Sequence, residues 1–154
     1  MDLVIFNKAA AFCAYQERTH HEVRERLRKW QVWGEAADEI IAELIVRNFL
    51  SEERFAKSFA GGKHRVKQWG RIKIRQELQR RGVGTYSISE GMRELDETAY
   101  REGLQKLLEK KAGQLSRTEP DRRMLQMKLM RYAIGKGYEP DLVRQFSEKI
   151  MADK

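Results

Sequence analysis

The same apolar pattern recurs around three turns of this chain, and that recurrence limits the fold more than any other feature. Val32, Val83 and Tyr138 serve as equivalent anchors, 51 and then 55 residues apart. Five positions before each anchor stand Leu27, Leu78 and Ala133, and nine before stand Val23, Ile74 and Leu129. Five positions after come Ala37, Ile88 and Val143, then Ile40, Gly91 and Phe146, then Leu44, Leu95 and Ile150. The register is kept across the turn as well as along each flank. Tandem modules that share such a pattern bury a continuous core by stacking.

Within each module the apolar residues fall at helical spacing. Phe6, Ala9, Ala10 and Cys13 form one stripe. Val23, Leu27 and Trp30 form a second, and Ala37, Ile40, Ile41, Leu44 and Ile45 a third. Phe55 and Phe59 mark a fourth helix, with Ala56 beside them. Ile74 and Leu78 carry the pattern on, Leu104, Leu107, Leu108 and Leu115 mark a long later helix, and two more stripes close the chain. Thr19 followed by Glu22 has the form of a capping box, as does Ser87 followed by Glu90. Ser51, Asp96 and Thr118 suit N-caps, Pro120 and Pro140 suit first turns, and helices can end near Gly34, Gly82 and Gly137. The expectation is an all-α fold of three tandem three-helix repeats, over residues 1–50, 51–96 and 97–154, forming an elongated, curved array.

The charge is unevenly placed. The chain has 31 Lys and Arg against 23 Asp and Glu, a formal net charge of +8. Residues 1–62 carry net −1 and residues 82–154 net +2, whereas residues 63–81 carry eight basic side chains against Glu77 alone. Clustered charges add their potentials, so this stretch is the candidate binding surface for an acidic partner. Its candidates are Lys63, Arg65, Lys67, Trp69, Arg71, Lys73, Arg75, Arg80 and Arg81. Arginine suits carboxylate and phosphate through its planar fork. Trp69 is the aromatic candidate for contact, whereas Trp30 fits the apolar face of its helix.

Catalysis finds no constellation. His20 and His21 are adjacent in a helix's first turn, a position that reads as an exposed cap region. His64 has no Cys or His at metal spacing. Gly61, Gly62 and Lys63 lack the spaced glycine and following hydroxyl of a phosphate loop. The expectation is a protein that is not an enzyme and takes no cofactor or metal. Cys13, the sole cysteine, reads as a small core residue in a reducing compartment. No apolar run reaches the ~20 residues of a membrane span, and the N-terminal segment does not read as a secretory signal, so a cytoplasmic monomer is expected.

Three segments resemble the RecX family. Leu50, Arg54, Phe55, Ala56 and Phe59 are similar to its L-x-D-x-R-F-A-x-x-F segment. Gly70, Ile74, Glu77, Leu78, Arg81, Gly82 and Val83 are similar to G-x-x-R-I-x-x-E-L-x-x-R-G-V, with the Arg71-Ile72 pair one place early. The lead-in from Tyr15 to Leu27 is a third likeness. Thr19 stands where the family usually has Ser, Gln31 where it often has Gly, and Ser51-Glu52 replaces the usual acidic cap. The last module has Gly135, Lys136, Gly137 and Tyr138 where R-R-G-F is common. The resemblance implies a modulator of RecA, active in DNA recombination, repair and the SOS response. Such proteins have three three-helix repeats, lie in the groove of the RecA–DNA filament, and restrain strand exchange, ATP hydrolysis and co-protease activity. It implies RecA as partner, with DNA contacts weaker or indirect. It also gives Arg54, Phe55, Ala56, Phe59, Gly70, Ile74, Leu78, Gly82 and Val83 as the structural motif. A direct DNA-binding protein of helix-turn-helix type, acting without RecA, is the competing expectation, since a basic helix ends in a glycine turn.

Overall fold

A computed structural model describes residues 1–153. Among them are nine α-helices and no strand: α1 (Leu3–Tyr15), α2 (His20–Lys29), α3 (Gly34–Val46), α4 (Glu52–Gly62), α5 (Arg71–Arg80), α6 (Thr85–Met92), α7 (Glu97–Leu115), α8 (Arg122–Gly135) and α9 (Pro140–Ala152). The expected all-α class holds. One π-helical turn, Lys63–Lys67, follows α4 directly.

The three anchor turns share one geometry. The residue before each anchor has positive φ: Gln31 (65°), Gly82 (79°) and Gly137 (101°). Each anchor N–H donates to the carbonyl five residues back: Val32 to Leu27 (2.9 Å), Val83 to Leu78 (3.1 Å) and Tyr138 to Ala133 (3.2 Å). The preceding N–H closes a second bond three residues back, as in a Schellman motif. The equivalence read from apolar spacing is therefore also an equivalence of hydrogen bonding. The first helix end was expected near Gly34, but Gln31 forms the left-handed turn, and Gly34 instead opens α3.

Two of the expected caps move. Thr19 and Glu22 form the reciprocal capping box, Ser51 Oγ accepts from Arg54 N (3.2 Å), and Asp96 caps α7. Ser87 does not cap. The α6 helix begins earlier, with Ile88 N donating to Gly84 O (3.0 Å), so Ser87 lies inside the helix and not at its cap. Thr118 instead belongs to the turn that ends α7, and Asp121 caps α8 by accepting from Arg123 N and Met124 N.

By compactness the chain forms two units, Met1–Phe59 with Glu77–Met92, and Ala60–Gln76 with Arg93–Lys154. In the first, Phe6, Ala9, Ala10, Cys13, Val23, Leu27, Ala37, Ile40, Ile41, Leu44 and Leu50 form one core, with Trp30 and Val32 half-buried against it. Burial pushes the Cys13 thiol up to about 11, as befits a core residue. Gly91 of α6 rests on Ala56 of α4; an added Cβ would come within 2.6 Å of the Ala56 Cβ. That close approach explains why the second module has glycine where the others have Ile40 and Phe146.

In the second unit, α7, α8 and α9 pack on one another around Tyr100, Leu104, Leu108, Leu129, Ala133 and Val143, all buried. The first amides of α5 are satisfied by the turn between α8 and α9. Gly70 N donates to Lys136 O (2.8 Å) and Ile72 N to Gly137 O (2.9 Å). A helix start has orphan donors and a helix end orphan acceptors, so the two complete each other. No helix among the described residues is long and apolar enough to cross a membrane.

Candidate functional site

The basic stretch begins where α4 gives way to the π turn. Such turns place one extra residue in a helix and re-aim the side chains after it. Lys63, Arg65 and Lys67 lie on it, and Gln68 ends it in the left-handed region (φ 58°). Arg65 and Lys67 are exposed, as is Arg75 one turn into α5. Trp69 is half-buried between two ammonium groups, Lys63 Nζ at 5.0 Å and Lys73 Nζ at 4.6 Å from its ring. Both distances suit cation–π attraction. The turn is anchored from beneath: His64 Nδ1 lies 3.0 Å from Trp69 O, and the His64 ring stacks on Tyr100 at 5.2 Å. Lys136 Nζ donates to Lys67 O (3.0 Å).

Arg71 differs from its basic neighbours. Its guanidinium donates to Glu139 Oε2 (2.7 Å) and to Glu97 Oε2, and it lies over the Tyr100 ring, 3.8 Å from the centroid. Its backbone N–H donates to the Tyr100 hydroxyl (3.0 Å), which in turn donates to Glu139 Oε1 (2.5 Å). Burial alone would push the Glu139 carboxyl up. The hydrogen bonds from Tyr100 and Arg71 outweigh it and hold Glu139 below its ordinary value. Burial, then the bond to Glu139, raise the Tyr100 hydroxyl well above its usual range. Arg71 is therefore committed to an internal network that fixes the start of α5 to α7 and to the cap of α9.

Arg80 and Arg81, in the first unit, share Glu77. Arg80 holds it with two donors (2.9 and 2.5 Å) and Arg81 with one (3.0 Å). The bond from Arg80, opposed by some burial and joined by Arg81, brings Glu77 down to about 2. The Arg81 guanidinium also lies 4.9 Å from the Phe59 ring.

The motif residues divide similarly. Arg54 donates to Glu17 Oε2 (2.8 Å), Asn48 Oδ1 (2.7 Å) and the carbonyls of Asn48 and Phe49, so it ties the α3–α4 link to the α1–α2 link. Phe55 and Ala56 are buried, and Phe55 stacks on Phe59 at 5.7 Å. Ile74, Leu78 and Val83 are core, Gly82 supplies its positive φ, and Gly70 meets Gly137 backbone to backbone. The sequence reading missed Tyr100, Glu139 and the anchoring use of His64. Tyr100 was findable, since it precedes Leu104 and Leu107 at i−4 and i−7.

Three family models match consecutive parts of the chain: the RecX first three-helix domain over residues 6–44, the second over 51–92 and the third over 99–146. The chain belongs to the RecX family. A regulatory protein RecX from Clostridium botulinum (strain Alaska E43) is 30% identical over 152 residues, covering 97% of this chain and 71% of that protein. One from Bacillus cytotoxicus is 30% identical over 149 residues, covering 96% of this chain and 54% of that protein. The chain thus spans between 54% and 71% of the length of several RecX relatives it matches. The crystal structure of RecX from Lactobacillus salivarius has the same fold, with a TM-score of 0.84, 23% identity, and coverage of 94% of this chain and 93% of that one.

Proposed function

We propose that this chain is a non-enzymatic regulator that binds the RecA–DNA filament and restrains its ATP hydrolysis, strand exchange and co-protease activity. Membership of the RecX family supports the regulatory class. The observation that carries the choice of surface is the basic stretch, whose side chains differ in what they are used for. Arg71 spends its guanidinium on Glu97 and Glu139, and Arg80 and Arg81 hold Glu77. Arg65, Lys67 and Arg75 stand exposed, with Trp69 between Lys63 and Lys73 beside them. In this reading the exposed cations meet acidic groups of the filament, and Arg71 keeps the surface rigid without touching the partner. Rigid presentation lowers the ordering cost of binding.

Co-sedimentation with RecA filaments on single-stranded DNA tests this surface. The variant Arg65→Glu, Lys67→Glu, Arg75→Glu reverses exposed charges only and should fold normally. It is expected to lose at least tenfold in filament affinity at 50 mM salt (on the order of 1.4 kcal/mol or more). Wild-type binding that survives unchanged in this folded variant would overturn the assignment.

A further inference from the structure

Both faces of α8 are apolar, and only one of them is covered. Leu125, Leu129 and Ala133 are buried where the helix packs on α7 and α9. On the opposite side stand Met124 (41% exposed), Met127 (52%) and Ile134 (40%), with Met130 half-buried at their edge. A surface helix ordinarily turns a polar face to water, and one that is apolar all round is ordinarily buried. Single exposed apolar residues carry no meaning. These four recur at spacings of three and four, so they share one face. Met127, Met130 and Ile134, with Arg131 and Gly135, line a shallow depression there.

Two arginines lie within this face. Arg123, Met127, Arg131 and Ile134 follow one another at helical spacing, so the charges are interleaved with the apolar side chains and not set at their margin. Both arginines are exposed, and among the described residues no carboxylate pairs with either. The helix has no Asp or Glu from Arg122 to Gly135. Lys128, at the rim, is already held by Glu119 (2.7 Å), and Asp121 serves the cap. What covers this face must therefore offer apolar area and carboxylates together. A nucleic-acid backbone offers anions but nothing for the methionines. A lipid layer keeps headgroups above acyl chains, which suits cations beside an apolar stripe and not inside it. A second copy docked through the same face would bring arginine against arginine.

We infer that the outward face of α8 docks an acidic amphipathic helix of a protein partner. Aliphatic side chains of that helix rest on Met127 and Ile134, and its carboxylates meet Arg123 and Arg131. Helices are recognised in this way through apolar anchors three and four residues apart. Thioether side chains adapt their shape to such anchors, and the guanidinium fork matches a carboxylate. Gly135 leaves the end of the depression clear, since nothing lies within 4 Å of where its Cβ would be. The face shares no residue with the basic stretch 63–81, so the inference does not depend on the filament reading.

The experiment titrates the full chain with a designed helical peptide that has leucine along one face and glutamate beside it. Anisotropy of the labelled peptide gives affinity, and the methionine methyl resonances give the place. Binding is expected to saturate and to move the methyls of Met124, Met127 and Met130, while those of Met92 and Met151, on other elements, stay. The exchange Arg123→Glu, Arg131→Glu alters exposed side chains only. It should lower affinity for this peptide about tenfold and raise affinity for a counterpart with lysine in place of glutamate. A gain of that kind cannot come from loss of fold. Met127→Gln, Ile134→Gln should weaken the glutamate peptide by about the same factor. Equal binding of both peptides by the wild type would overturn the inference, as would equal binding of a glutamate peptide without leucine. The same methyl shifts produced by phosphatidylglycerol vesicles, or by raising the protein concentration alone, would give the face to a lipid surface or to a second copy, and either result overturns the assignment.

Discussion

A methyl group on Gly70 would sit 2.4 Å from the Gly137 carbonyl carbon and the Tyr138 nitrogen, all backbone. Nothing there can swing aside. Gly70→Ala is therefore expected to part α5 from the α8–α9 turn and to lose the bonds from Gly70 N and Ile72 N, at about 3 kcal/mol. Urea denaturation checks it, and a cost near zero would contradict the close approach. Gln31 presents the opposite case. Its φ of 65° suits glycine, and the two equivalent positions are Gly82 and Gly137. Gln31→Gly relieves the left-handed strain but frees the unfolded chain, for a net stabilisation of about 0.5 kcal/mol. Cys13 offers a chemical test. With its thiol pushed up to about 11 from an ordinary 9.0, its thiolate population at pH 8 is about 100-fold below that of an ordinary cysteine. Alkylation by iodoacetamide should be slower by at least that factor in the folded protein and become ordinary in urea.

Among elements, the start of α5 depends on one polar network, and its carboxylate sets a pH dependence. Glu139 ionises more readily in the folded chain than in the unfolded one, and so does Glu77, at about 2 against 4.5. A depressed carboxylate contributes stability that is fully present above the unfolded value and lost as pH falls through the folded one. Stability is therefore expected to hold down to about pH 5 and decline from there toward pH 2. Glu139→Gln should cost about 1–2 kcal/mol at pH 7, since the site is partly exposed, and should flatten that decline; melts at pH 3 and pH 7 separate the two effects. Much of this level was legible in the sequence. Apolar spacing placed the helices and aligned the three anchor turns, because burial and turn geometry both act through local period. The Arg71 network was not legible. Arg71, Tyr100 and Glu139 are far apart in the chain, and an arginine committed internally has the same local sequence signature as one facing solvent. The π turn was hidden for a related reason: His64, within it, is anchored to Trp69 and Tyr100, contacts that no helical period records. Ser87, with Glu90 three residues on, and Thr118 have the local pattern of caps, but Ser87 lies inside α6 and Asp121 caps α8.

At the scale of the whole molecule, charge and family point the same way. The surplus positive charge sits in residues 63–81, and the three matched domains cover most of the chain. Not all of that charge is available to a partner, so charge reversal should sort the cations into two groups. Reversing Arg65, Lys67 and Arg75 is expected to weaken binding with little change in stability, whereas reversing Arg71 should act first on folding, through Glu97 and Glu139. The most direct test of the central claim is ATP hydrolysis by RecA on single-stranded DNA, titrated with this chain and with Arg65→Glu, Lys67→Glu, Arg75→Glu. The account predicts dose-dependent inhibition by the wild type and at least tenfold more of the folded variant to reach half-inhibition. Hydrolysis unchanged at saturating wild-type protein would contradict it.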